Sequence, residues 1–224
     1  MGNSKYSWDD ADNLCRESNY AGKSGWRLPT RKEFYSIIDN GRTNPATDPE
    51  YFNDTRAFWT SKVYAQENST SKWYVDFSNG YSAVEKTQKY VLCVRGEEPP
   101  EAVLVPSTVE GDDIMTDTTS GLVWQDIRGG NDYTWLAALE YCKNLNYAGF
   151  SDWRLPNLNE LFSLINDDKV SPASDLTNVA KMPHWTSTSS MTDPSSALYI
   201  NFSTGRIGAS DKTTSSSRYV KCVR

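Results

Sequence analysis

Residues Tyr6 to Asp48 align without a gap, at a constant offset of 127, with Tyr133 to Asp175, and 19 of the 43 positions are identical. The chain writes one domain twice. Both copies read YxWxxAxxxCxxxNYAGxSxWRLPxxxExxSxI and continue into Pro45-Ala46-Thr47-Asp48 or Pro172-Ala173-Ser174-Asp175. Further on they stay parallel with small gaps: Trp59-Thr60-Ser61 against Trp185-Thr186-Ser187, WYVDFSNG against LYINFSTG, and Tyr90 to Arg95 against Tyr219 to Arg224. This repeat predicts two domains, residues 1–95 and 107–224, joined by a semi-rigid Pro- and Glu-containing linker at 96–106. Each copy is then a control for the other.

Local patterns predict an α+β domain, each copy holding two helices and a short-stranded antiparallel sheet. Ser7 or Thr134 can cap the first helix, where Trp8, Ala11 and Cys15, or Trp135, Ala138 and Cys142, recur at helical spacing on one face. Thr30 with Glu33, and Asn157 with Glu160, form a capping-box pattern for the second helix. The later segments alternate in strand fashion, with Asn79-Gly80 and Thr204-Gly205 marking hairpin turns. Ahead of copy two, GLVWQD reads as an additional first strand. Copy one shows no counterpart upstream of Tyr6, so its sheet is expected to lack a strand or to take one from elsewhere.

A net charge of −6 and a pI near 4.9, without a basic run, exclude the phosphate-neutralising surface of a nucleic-acid binder. No apolar run reaches the roughly 20 residues of a membrane span, and MGNSKYSW carries no secretory-signal pattern. Cysteines stand at matched positions near the start and end of each copy, which fits one disulfide per domain in an oxidising compartment: secreted, periplasmic or on the cell surface. Four reduced buried cysteines are the alternative. Zinc is not expected, since there is no CxxC and His184 is the sole histidine.

GLVWQD, YTW, the helix cysteine, GFSDWRLPNLNEL, WTST, the NFSTG strand and the terminal YVKCVR together resemble a bacterial family named for the C-terminal domain of the Legionella collagen-like adhesin, Lcl. Copy two matches throughout and copy one from Tyr6 onward. The WRLP-x-x-x-E segment also resembles the RLPTEAEWE segment of formylglycine-generating enzymes, whose fold is C-type-lectin-like. By that analogy the chain is expected to hold two tandem C-type-lectin-like domains. The resemblance implies bridges between Cys15 and Cys93 and between Cys142 and Cys222.

No catalytic constellation emerges. A triad would need His184, which falls where copy one has Phe58, and the fold analogy transfers no activity. Neither the Glu-Pro-Asn, the Gln-Pro-Asp nor the Trp-Asn-Asp tripeptide of calcium-dependent lectins occurs, and no metal or other cofactor is expected; Asp39, Asp48, Asp167, Asp168 and Asp175 read as loop and helix-end caps. Arg27 and Arg154 each precede an acid, Glu33 or Glu160, by six residues, which predicts a structural Arg-Glu pair beside Trp26 or Trp153. Aromatics kept in both copies, Trp26 and Trp153 among them, are expected in the core. Tyr64, Trp73 and Tyr81 have no aromatic counterpart in copy two, and they are the candidates to stack on a ligand. Arg206, Asp211 and Lys212 are the candidates in copy two, whose matching surface is otherwise rich in small polar residues.

The family resemblance implies a non-enzymatic recognition or adhesion module that takes a glycan or protein ligand through the loops and strands after the WTS motif. Two rivals stand beside it: a structural or assembly module, oligomeric and without a small ligand, and a lectin-like receptor diversified over residues 189 to 218.

Overall fold

The computed structural model describes residues 4–127, 131–213 and 218–224. They form two compact units, residues 1–99 and 100–224. Both are mixed α/β units with few helices and several small antiparallel sheets.

In the first unit, α1 (Trp8–Arg16) starts where the Ser7 hydroxyl accepts the Asp10 N–H, and it buries Ala11 and Cys15 on one face. A 3-10 turn at Tyr20–Gly22 leads into β1 (Trp26–Arg27). Thr30 then caps α2 (Arg31–Tyr35) by the expected capping box, exchanging hydrogen bonds with Glu33. β2 (Ala57–Val63), β3 (Lys72–Asp76) and β4 (Ser82–Glu85) make a three-stranded antiparallel meander, and β5 (Val94–Arg95) returns to pair with β1. The β3–β4 turn falls at Asn79-Gly80, where Gly80 takes a positive φ of 75°.

The second unit opens with a sheet that has no counterpart among the described residues of the first. β6 (Leu104–Val109), β7 (Asp112–Asp117) and β8 (Val123–Gln125) form an antiparallel meander. The expected strand at GLVWQD is therefore present, but as the third of three, and β6 begins inside the stretch 96–106 that the sequence suggests is linker. α3 (Trp135–Lys143) and α4 (Leu158–Ser163) follow, capped by Thr134 and by the Asn157–Glu160 box. β9 (Pro183–Ser189), β10 (Ser196–Asn201) and β11 (Arg206–Asp211) repeat the meander of the first unit.

Shared tryptophans tie helix to sheet in the same way twice. Trp8 Nε1 donates to Thr60 O at 2.7 Å and Trp135 Nε1 to Thr186 O at 2.8 Å. Trp59 Nε1 donates to Tyr6 O at 2.9 Å and Trp185 Nε1 to Tyr133 O at 2.8 Å. Trp59 and Trp185 are buried and Trp8 and Trp135 half-buried, and each indole's one donor is satisfied by backbone. The repeated Tyr-x-Trp and Trp-Thr-Ser spellings are the two ends of this lock.

Candidate functional site

Each unit holds its ends together covalently. Cys15 bridges to Cys93 and Cys142 to Cys222, joining the first helix of each copy to its last segment as the resemblance implies. A second clamp lies beside each bridge. Arg27 meets Glu33 through two 2.7 Å hydrogen bonds, and Arg154 meets Glu160 in the same bidentate form. Burial pushes both carboxyls up, but the guanidinium and the cap N–H groups outweigh it and hold them below the usual glutamate range. Arg27 and Arg154 are thereby committed to the frame.

The aromatic candidates of the first copy separate on burial. Trp73 is 1% exposed and Tyr64 7%, packed edge to face at 5.4 Å. Both belong to the core and present no stacking face to a ligand, which corrects the sequence expectation. The reason is the strand period: Trp73 alternates inward with Val75 on β3, and Tyr64, just past β2, folds over it. Tyr81 remains partly exposed after the β3–β4 turn.

In the second copy Arg206 is exposed at the start of β11, directly after the β10–β11 turn. It stands at the hairpin position that Tyr81 holds in the first copy: Tyr81 O accepts from Asp76 N, and Arg206 pairs across from Asn201. Asp211 accepts the N–H and hydroxyl of Thr213, each at 2.7 Å. Lys212 Nζ donates to Ser189 Oγ and Pro194 O and lies 4.5 Å from the Trp135 ring. Lys212 therefore fastens the 189–195 loop to the first helix. Thr214 to Ser217, the rest of that polar stretch, lie outside the described residues.

His184 is buried at 2% exposure, its Nδ1 2.9 Å from Met182 O, with its ring 4.8 Å from Phe202 and 5.6 Å from Tyr219. Phe58 makes the equivalent contacts with Phe77 and Tyr90 in the first copy, at 4.9 Å and 6.3 Å. The imidazole fills an aromatic packing position. Burial, with Lys221 nearby, lowers it to about 3. Lys221 is itself buried and reaches Asp126 at 3.5 Å and Asn178 O at 3.2 Å. Asp39 and Asp175 meanwhile serve local pairs, Asp39 with Gly41 N and Arg42, and Asp175 with Asn166 and Lys169. Among the described residues no three His, Cys, Asp or Glu side chains are grouped to hold a metal, and no helix is long and apolar enough to cross a membrane.

One concavity was not anticipated. A groove of about 660 Å³ opens in the first unit, its lining including Tyr6, Tyr20, Trp26, Val91, Leu92 and Cys93. Tyr20 is 73% exposed and Trp26 only half-buried. Being kept in both copies does not place them in the core of this one. The signal in the sequence was the aligned pair Leu92 and Lys221, an apolar residue on one side and a charge on the other.

A comparison with curated proteins finds no match. The Lcl C-terminal domain family matches twice, over residues 2–95 and 113–224. With both disulfides, both capping boxes and both Arg-Glu clamps repeated across those spans, the chain belongs to the Lcl C-terminal domain family, in two tandem copies.

Proposed function

We propose that this chain is a non-enzymatic extracellular recognition module, a tandem of lectin-like domains acting in adhesion and holding a glycan or protein ligand at the hairpin ends of its sheets. The observation that carries this reading is the contrast at one equivalent position. Tyr81 and Arg206 stand at the same turn of the same hairpin, on frames that repeat their helices, bridges and clamps. A fixed scaffold with different chemistry at the same loop position suits binding, where side chains on loops choose the ligand and the sheet only presents them. An aromatic face suits a sugar ring or an apolar patch, and a guanidinium suits a carboxylate or sulfate. Membership in a family named for an adhesin supports the same reading. So do two helices packed on small antiparallel sheets with the first helix bridged to the last segment, the arrangement expected of a lectin-like fold. The two disulfides fit a secreted, surface or periplasmic setting.

The test is a glycan array that includes sulfated polysaccharides, probed with disulfide-intact protein with and without calcium and at two salt concentrations. Calcium-independent binding that Arg206→Ala or Tyr81→Ala weakens at least tenfold is the expected result. A blank array, or hits indifferent to both substitutions, defeats the glycan arm and leaves protein ligands.

A further inference from the structure

One charge buried in the second unit is poorly stabilised as a charge. Lys221 is 3% exposed and Asp126 5%, yet they approach only to 3.5 Å, and Asp126 Oδ1 accepts no hydrogen bond among the described residues. A buried ion pair offsets its desolvation only when the geometry is close and the remaining lone pairs are partnered. The first copy has Leu92 at the lysine's position, so the fold does not require a cation there. Burial outweighs the attraction of Asp126 and holds Lys221 below the usual lysine range, which favours the neutral, nucleophilic amine.

An electrophile is held beside that amine. Lys221 Nζ donates to the backbone carbonyl of Asn178 at 3.2 Å, and Asn178 Nδ2 donates to Asp126 Oδ2 at 3.1 Å. The carboxylate therefore has one oxygen towards the amine and the other on the nitrogen of the side-chain amide. Three separate segments bring these groups together: Asp126 directly follows β8, Asn178 lies in the loop ahead of β9, and Lys221 adjoins the bridged Cys222. A nucleophile, a carboxamide and an acid–base group that touches both are the parts that amide exchange between two side chains needs.

We propose that Lys221 and Asn178 join in an intramolecular isopeptide bond, with Asp126 carrying the protons between them. Asp126 first takes one proton from the Lys221 ammonium, which leaves a neutral amine beside a neutral carboxyl. Nζ then turns from the backbone carbonyl of Asn178 to Cγ of the same residue and forms the N–C bond. As the tetrahedral centre collapses, the carboxyl gives its proton to Nδ2 and takes one from Nζ, the Cγ–Nδ2 bond breaks, and one ammonia leaves. No oxidant, reductant or further reactant enters. The product replaces a buried cation by a neutral amide and ties the loop before β9 to the terminal segment, across a separation of 43 residues. This bond lies in the interior of the second unit and does not depend on the hairpin-tip reading above.

The test is the mass of the full chain after complete reduction and alkylation. It should fall short of the mass of the alkylated sequence by one ammonia, and a tryptic digest should contain a branched peptide joining residues 170–181 to 219–224, uncut after Lys221. Lys221→Arg, which keeps the buried charge, should show its full sequence mass and no branched peptide. Asp126→Ala should lower the linked fraction at least tenfold, and Asp126→Asn, of equal size, gives the same comparison where the alanine chain does not fold. A parent chain of full mass overturns the proposal, as does an ammonia loss that maps to an unbranched succinimide. Loss of one water with a branch between Lys221 and Asp126 also overturns it, because Asp126 would then be the electrophile. Linkage that persists undiminished in the Asp126 variants overturns the proton relay.

Discussion

The guanidinium of Arg31 lies 3.6 Å from the ring centroid of Trp73, and both side chains are buried. Nη1 of Arg31 also reaches Ser82 Oγ at 3.3 Å. The second copy puts Leu158, Leu198 and Ile207 at these three places, all buried and all aliphatic. One fold therefore holds a stacked cation in the core of one copy and a plain apolar contact in the other. Such an exchange is energetically feasible because a well-partnered buried charge and a well-packed aliphatic set can be nearly equivalent in stability.

Removing only the charge is a different matter. Arg31→Ala empties the stacking face of Trp73 and strands the groups bonded to the guanidinium, at a cost of about 3 kcal/mol. Arg31→Leu combined with Ser82→Ile, which imports two of the second copy's three aliphatic residues and keeps Trp73, should cost about 1 kcal/mol. Denaturant midpoints of the first unit's transition check both, and a double variant as unstable as Arg31→Ala refutes the account.

The Arg-Glu clamps differ in exposure, and their stabilities should follow. Side-chain exposures are 20% and 15% for Arg27 and Glu33, against 49% and 19% for Arg154 and Glu160. Water screens the second pair more, so Glu33→Gln should cost about 2 kcal/mol and Glu160→Gln about 1 kcal/mol. Both carboxyls are held below their unfolded values, so the stability they add is present above about pH 4.3 and is lost as pH falls through the lower folded values. Urea titrations of the two variants at pH 7 and pH 3 should converge on the parent at the lower pH.

Much of the frame was legible because repetition separates constraint from drift. Helix caps, hairpin turns and the Arg-Glu clamps follow from local rules, and they recur at the same offset in both copies. Burial was less legible. Trp73 and Tyr64 differ from their counterparts Leu198 and Ser190 and so resemble free surface aromatics, yet the pleat turns Trp73 inward and Tyr64 packs against it. Tyr20 and Trp26 match their counterparts and so resemble core, yet they line a groove. In both cases the outcome depends on what lies across the contact: Arg31 beneath Trp73, and, among the described residues, no strand paired beside Trp26 other than β5. A residue's own identity carries no record of that neighbour. Comparing the positions opposite each aromatic, Ser82 with Ile207 and Leu92 with Lys221, would have exposed the differences.

The uncovered groove has a redox consequence. Cys93 is part-exposed, whereas Cys222 is fully buried beneath β8. A thiolate reductant reaches the first bridge directly and the second only after opening of the unit. Partial reduction followed by alkylation and peptide mapping should find Cys15 and Cys93 labelled well before Cys142 and Cys222. Each bridge closes a loop of about 80 residues and is worth roughly 4 kcal/mol, so early loss of the first should lower that unit's unfolding midpoint selectively. Equal labelling of the two pairs would contradict the exposure difference.

His184 gives the second unit a pH dependence that the first does not have. Burial, with Lys221 nearby, holds the imidazole near 3 in the folded chain, whereas an unfolded histidine titrates near about 6.5. Between these values the unfolded state binds a proton that the folded state refuses. Stability is therefore unaffected above about pH 6.5 and falls as the pH drops toward the folded value, by about 1.4 kcal/mol per unit for one proton. Carboxylates such as Glu160 titrate in the lower part of the same window, so the parent alone cannot isolate the imidazole. His184→Phe does so, because Phe58 already occupies the equivalent site against Phe77 and Tyr90. The stability difference between parent and variant should be flat above pH 7 and should widen in the variant's favour between pH 6 and pH 4. A difference that stays constant across that range would mean that the buried imidazole takes up its proton without unfolding the chain.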